Sequence, residues 1–172
     1  MKYLLDVNVL LAMFYVPHLH HSRVDQWLQQ CRIIHGSALT LATSPITELG
    51  FVHIASSSTG FASGVSAAQQ DLERLITRSG LVLVGDRLSA RRLPRWVNRS
   101  SQTTDGHLVE LATSHGMILA TLDRGVLGAE LIPDLPDHPF EVNEPGVLAE
   151  EELCLSQMDY PASTRSGGLW LS

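Results

Sequence analysis

Residues 1–12 read MKYLLDVNVLLA. An apolar run, Tyr3-Leu4-Leu5, stops on Asp6. Asn8 follows two residues later, and a second apolar run begins at Val9-Leu10-Leu11. A run that short and apolar is a strand of a sheet covered on both faces. In such sheets ligands gather at the carboxyl ends of the strands. Asp6 thus stands where an α/β protein places its chemistry, and the question is which other acids stand with it.

Beyond this stretch the pattern alternates strand and helix. Residues 2–6 read as a strand and 8–14 as a short helix ended by Pro17. From His18 to Cys31 the apolar positions Val24, Trp27, Leu28 and Cys31 fall at helical spacing, and Gly36 closes that helix. Residues 39–42 are a second strand. Ser44-Pro45 opens the next helix, with serine as N-cap and proline in the first turn. After the loop at 56–60, Ser66 is the expected cap of a helix whose inner face carries Leu72, Leu75 and Ile76. Residues 81–84 read as a third strand. The arginine-rich stretch 86–101 is broken by Pro94. Thr103 or Thr104 caps a helix through His115, residues 117–120 form a fourth strand, and 139–142 a weaker fifth. This order is that of a mostly parallel α/β sheet. The domain is expected over 1–142, followed by an acidic extension, 143–172, partly flexible.

The chain of 172 residues is long enough for one domain with a proper core. Hydrophobic residues make up 44% and the mean hydropathy is +0.08, which excludes a disordered chain. No apolar stretch approaches the roughly 20 residues that span a bilayer, and the start lacks the pattern of a signal peptide. Cys31 and Cys154 are too few and too far apart for a disulfide framework or a zinc site. They read as free thiols of a cytoplasmic protein. The net charge of −6 is uneven: residues 1–133 hold 11 basic and 10 acidic side chains, and residues 134–172 hold 8 acids and one arginine. The body is therefore near neutral, so the overall charge does not exclude a nucleic-acid partner.

Three further acids map to the edge that Asp6 occupies. Asp123 follows the fourth strand in LATLDRG, Asp105 lies in the first turn of its helix in TTDGHLVELA, and Glu48 lies early in its helix in SPITELGF. Singly, each has an ordinary structural reading: an acid in a helix's first turn is favoured by the dipole, and Asp-Arg-Gly makes a turn. Glu48 is not in the capping-box position, which Thr47 holds. Four carboxylates in one pocket repel one another unless a cation joins them. Mg²⁺ or Mn²⁺, which prefer oxygen ligands, fits that need. Haloacid-type phosphatases and receiver domains also place an aspartate after strand one, but they need a lysine beyond a later strand. The single lysine here is Lys2. No glycine-rich phosphate loop is present.

LLDVNVLLA, ITELGF, TTDGHLVELA and LATLDRG, in that order, resemble the PIN-domain nucleases, and more narrowly the VapC-type toxins of toxin–antitoxin pairs. The resemblance spans about residues 1–142. It implies a three-layer α/β/α sandwich and a metal-dependent endoribonuclease using Mg²⁺ or Mn²⁺, with Asp6, Glu48, Asp105 and Asp123 as the family's acids. Asp6, Asp105 and Asp123 would bind metal most directly, and Glu48 would position or deprotonate the attacking water. Asn8 matches the small polar residue beside the site, and Thr103 or Thr121 is placed to orient a carboxylate or water. An RNA substrate, a VapB-type antitoxin and a homodimer are further implications. Many relatives carry another acid beyond the last aspartate; here that stretch is Arg124-Gly125-Val126. The rival readings are a non-catalytic PIN-fold scaffold for RNA or protein, and a structure-specific DNA nuclease.

Outside these motifs, Arg87, Arg91, Arg92, Arg95 and Arg99 surround Trp96, a pattern that tracks an RNA backbone with Trp96 stacked on a base. The alternative is a solvated face. His18, His20 and His21 lack partners at zinc spacing and read as surface or capping residues. Phe14, Trp27, Leu28 and Phe51 read as core or dimer contacts. The acidic extension is either inert or lies over the basic groove, in which case deleting it raises RNA affinity.

Overall fold

The computed structural model describes residues 1–135, within a compact unit over Met1–Pro136. In chain order it comprises β1 (Lys2–Leu5), α1 (Val7–Phe14), α2 (His21–His35), β2 (Thr40–Thr43), α3 (Pro45–Ala55), α4 (Val65–Ser79), β3 (Val82–Leu83), α5 (Thr103–Ser114), β4 (Ile118–Thr121) and β5 (Glu130–Leu131). The strands form one sheet in the order β3-β2-β1-β4-β5, and every pairing is parallel.

Side-chain alternation along β1 creates the layers. Tyr3 and Leu5 join a core with Val9, Val24, Trp27, Phe51 and Leu72, from α1 to α4. Leu4, between them, faces the other way and joins Leu108, Leu111 and Leu119 beneath α5. Leu4 pairs with Ala42 on one side and Leu119 on the other, and all three face that second core. The result is the expected three-layer α/β/α sandwich. Trp27, Leu28 and Phe51 are buried in the first core, and Phe14 packs against it.

Several boundaries differ from expectation for local reasons. The second helix begins at His21 rather than His18, because the chain after Tyr15 makes two turns, His18 N–H to Tyr15 O and His21 N–H to His18 O. It runs on to His35 and stops at Gly36, whose φ of 50° a glycine adopts freely. Ser66 is not a cap. Gly64, at φ 151°, precedes the helix, which therefore starts at Val65. Neither Thr103 nor Thr104 caps α5: a short 3₁₀ turn at Ser100–Gln102 leads straight into it. The third strand shrinks to two exposed edge residues, Val82 and Leu83. An unexpected two-residue strand, β5, pairs with Ala120 and Thr121; two residues are too few for a periodic signal. The strand expected at 139–142, the domain limit at 142, the acidic extension and Cys154 lie outside the described residues. No helix among those described is long and apolar enough to cross a membrane. Cys31 is a buried free thiol.

The strand order has one switch point. From β1 the chain moves outward to β2 and β3, then returns to β4 on the opposite side. The crevice at the carboxyl ends of β1 and β4 is where open α/β sheets bind ligands.

Candidate active site

Asp6 is the first residue beyond β1, at that switch point. Its N–H continues the sheet ladder by donating to Ala120 O at 3.0 Å. Its side chain caps α1, with Oδ1 accepting the Val7 N–H at 2.6 Å. Oδ2 accepts the hydroxyl of Thr121 at 2.6 Å. Thr121 ends β4 and is fully buried. Its oxygen also accepts from Asn8 Nδ2 at 3.3 Å and from the Asp123 N–H at 3.1 Å. Asn8 returns the link by accepting the Leu122 N–H at 3.3 Å. Asp123 Oδ1 accepts the Gly125 N–H at 2.7 Å, so Asp-Arg-Gly is a turn as well as an acid donor. The result is a closed network that orients one face of Asp6 and places Asp123 beside it.

Asp105 arrives from the other side, in the first turn of α5. Gly106, next to it, lets the arginine-rich segment pack there: a Cβ at Gly106 would overlap Val97 Cγ2 and lie 3.2 Å from Pro94 Cδ. Glu48 is in the first turn of α3, where Ser44 and Thr47 form a reciprocal capping box. Thr47 thus does the capping and leaves the Glu48 carboxylate to Thr43, whose hydroxyl donates to Oε1 at 2.6 Å. Gly50 allows α3 to approach α1, since a Cβ there would fall 2.6 Å from Val7 Cγ2.

The PIN-domain family profile matches residues 3–128. The chain belongs to the PIN-domain family. Ribonuclease VapC38 of Mycobacterium tuberculosis (strain ATCC 25618 / H37Rv) is 34% identical over 143 residues, which cover 81% of this chain and 96% of that protein. Ribonuclease VapC39 of the same strain is 32% identical over 136 residues, covering 72% and 89%. The crystal structure of PAE2754 from Pyrobaculum aerophilum is 20% identical, covers 75% of this chain and 82% of that one, and gives a TM-score of 0.42, a likeness too distant to bear on function. This PIN domain is of the VapC type.

The electrostatics of this crevice are those of acids without a cationic partner among the described residues. Burial pushes the Asp6 carboxyl above its ordinary range; the bonds from Thr121, the Val7 N–H and Asn8 pull it down, and the charge of Asp123 adds to the push. Burial, and then the charges of Asp6 and Asp123, raise Asp105. Among the described residues, no lysine, arginine or histidine forms an ion pair with Asp6, Asp105 or Asp123. No three acidic, histidine or cysteine side chains among them close on one point as a ready-made cage. Mg²⁺ does not need one, because it keeps several waters and takes one or two protein carboxylates. An all-oxygen donor set with no counter-charge therefore fits a hard, partly hydrated cation.

Some sequence candidates lie elsewhere. Thr103 is exposed and donates its hydroxyl to Ser100 O at 2.8 Å, closing the 3₁₀ turn rather than orienting an acid. Trp96 is half-buried and packs against the core beneath α5. Arg91, Arg92, Arg95 and Arg99 are exposed. His18 Nδ1 accepts the His20 N–H at 3.1 Å and the His21 ring bonds Ala12 O at 2.7 Å, so both serve the turn before α2. Thr43 is the residue that sequence reading missed. A signal existed: β2 and β4 read TLAT and ILAT, and each terminal threonine donates to an acid.

Proposed function

We propose that this chain is a cytoplasmic, metal-dependent endoribonuclease, the toxin of a VapBC-type pair. The observation that supports the reading is that Asp6, Asp105 and Asp123 lie near enough at the carboxyl ends of β1 and β4 for their charges to act on one another, with no cationic partner among the described residues. The relatives VapC38 and VapC39, both named ribonucleases, supply the substrate class. In this reading Asp6, Asp105 and Asp123 are the residues that would hold Mg²⁺ or Mn²⁺, directly or through its waters. The chemistry such an ion supplies when bound is activation of water and stabilisation of charge on the attacking and leaving oxygens.

The chain's own groups do the rest. Thr121 and the Val7 N–H hold Asp6 in one rotamer, so its carboxylate arrives already oriented. Thr43 holds Glu48, which positions the attacking water or takes its proton. Hydrolysis on this plan needs no side-chain nucleophile. A VapB-type antitoxin and a homodimer belong to the same reading.

The test is digestion of total RNA by purified protein freed of antitoxin, with Mg²⁺, with Mn²⁺ and with EDTA, beside Asp6→Asn. Discrete fragments that need metal and vanish in the variant are expected. A folded protein that cuts nothing with either metal would overturn the reading.

A further inference from the structure

The arginine-rich segment does not form an even stripe. Arg87, Arg91 and Arg92 line a cleft of about 530 Å³ against α5, where His107 and Glu110 form the facing wall. Residues 87–104 contain no acid. Among the described residues none of these three arginines is in an ion pair, whereas Arg23, Arg74 and Arg124 each are. Glu110 is the one carboxylate lining the cleft, and it is exposed. Three arginines therefore share one cleft whose wall carries a single carboxylate. That excess of positive charge attracts an anion.

The cleft is braced before any ligand arrives. Asp86, just beyond β3, bonds His107 Nε2 at 2.7 Å through one oxygen and accepts the Leu88 N–H at 3.0 Å through the other. His115, two turns along α5, bonds Gly85 O at 2.9 Å. A histidine of α5 and the one that caps its end thus fasten the start of the loop. Ser89 O accepts the Arg92 N–H at 3.1 Å, and Ser89 Oγ accepts the Arg91 N–H at 3.4 Å, which curls the backbone so that both side chains share the cleft. A loop held this way loses less freedom on binding than an open arginine tail.

The lining also says what the anion is. Phenylalanine, tyrosine and tryptophan are absent from the cleft wall, Trp96 packs against the core, and His107 is tied to Asp86, so the lining is built for charge more than for stacking. Planar guanidinium groups pair with phosphate oxygens in bidentate fashion. His107 and Asp105 are two residues apart on α5, so the cleft is tied to the acidic site by a rigid element.

We propose that Arg87, Arg91 and Arg92, on the wall that His107 braces, form a phosphate subsite that takes an internal backbone phosphate of the RNA, away from the bond that is cut. The assignment rests on the ribonuclease reading for the identity of the polymer. It makes binding there indifferent to base sequence and sensitive to salt.

The test uses the full chain with a fluorescein-labelled single-stranded RNA of twelve nucleotides, in EDTA, across a series of NaCl concentrations. The variants are Arg91→Ala/Arg92→Ala, the charge-keeping Arg91→Lys/Arg92→Lys, and Arg95→Ala/Arg99→Ala from the same segment outside the cleft. The alanine pair in the cleft should bind roughly tenfold more weakly and flatten the slope of log K against log salt by about 0.7 for each phosphate no longer neutralised. The lysine pair should keep most of the slope, and Arg95→Ala/Arg99→Ala should lose clearly less affinity and slope than the alanine pair in the cleft. In the metal-supported cleavage assay the cleft pair should raise KM and leave kcat within about twofold. Equal losses in the two alanine pairs would dissolve the subsite into general surface charge. Affinity that depends on a 5′-phosphate, compared with a 5′-hydroxyl RNA, would overturn an internal phosphate in favour of a chain end. If the protein binds RNA through Arg91 and Arg92 but cleaves none, the subsite stands and the ribonuclease reading falls. If it cleaves RNA while Arg91→Ala/Arg92→Ala leaves affinity, slope and KM untouched, the subsite falls and the ribonuclease reading stands.

Discussion

Thr121 gives its only hydroxyl proton to Asp6, 2.6 Å away, while the same oxygen accepts from Asn8 and from the Asp123 N–H. One buried oxygen thereby sets the positions of three polar residues of the site. Thr121→Val keeps the shape and removes the proton and both lone pairs. It should cost about 1–3 kcal/mol in urea unfolding, since the Asp6 carboxylate it abandons is buried and Asn8 is half-buried. Catalysis should fall by roughly 10- to 100-fold. The parallel change, Thr43→Val, releases Glu48 and should lower kcat with little change in KM. Full activity in both variants, measured on one RNA substrate with Mn²⁺, would show that orientation of these acids does not matter.

Asp105 has no hydrogen-bond partner among the described residues, and burial together with the charges of Asp6 and Asp123 holds its carboxyl above the ordinary value. A raised carboxyl means that the folded state binds the proton more tightly than the unfolded chain. Stability therefore falls as pH rises through the window between the ordinary and the raised value. Asp105→Asn removes that penalty and, with it, one of the proposed metal ligands. At pH 7 without divalent metal it should gain about 0.5 kcal/mol, or about 1–2 °C in Tm for a chain of this size. Adding Mg²⁺ or Mn²⁺ should then raise the Tm of the native protein more than that of the variant. Thermal melts with and without metal decide it; a variant that melts lower than the native protein in EDTA contradicts the account.

The Asp86–His107 bond predicts the opposite pH behaviour. Burial works to raise the Asp86 carboxyl, but the bonds from His107 and the Leu88 N–H outweigh it, with a further pull from His115, and the net shift is downward. A depressed carboxyl contributes stability that is present above its ordinary value of 3.8 and is lost as pH falls through the lower folded value. Asp86→Asn should destabilise by about 1 kcal/mol at pH 7. The gap to the native protein should close below pH 3.8. Denaturant curves at several pH values test this, and a gap that persists into acid would assign the effect to packing.

Gly106 separates α5 from Pro94 and Val97. Alanine normally favours a helix interior by about 1 kcal/mol over glycine, but here the added methyl would overlap the Val97 side chain. Gly106→Ala should therefore destabilise by about 1–2 kcal/mol net. Gly106→Ala/Val97→Ala should recover much of the loss by making room. Additive losses in the double variant would mean that the two residues do not compete for the same space.

Local pattern settles a good deal of this fold. The short apolar runs ending near Asp6 and Asp123, the helices between them and the order of the four acids were legible, because strand alternation, helical spacing and turn residues act over a few neighbours. The acid-free arginine segment was legible for the same reason. Which residues meet was left to the folded chain. Leu5 and Ala120 are adjacent because β4 returns to the far side of β1, and that register puts Thr121 against Asp6 across 115 positions of sequence. The pairing of Thr43 with Glu48 depended on Thr47 completing the capping box, a choice between two side chains for one backbone group. Trp96 turned toward the core rather than outward because Gly106 opened a place on α5 for its segment. Such pairings depend on long-range register and on competition for space, which no window of neighbouring residues contains.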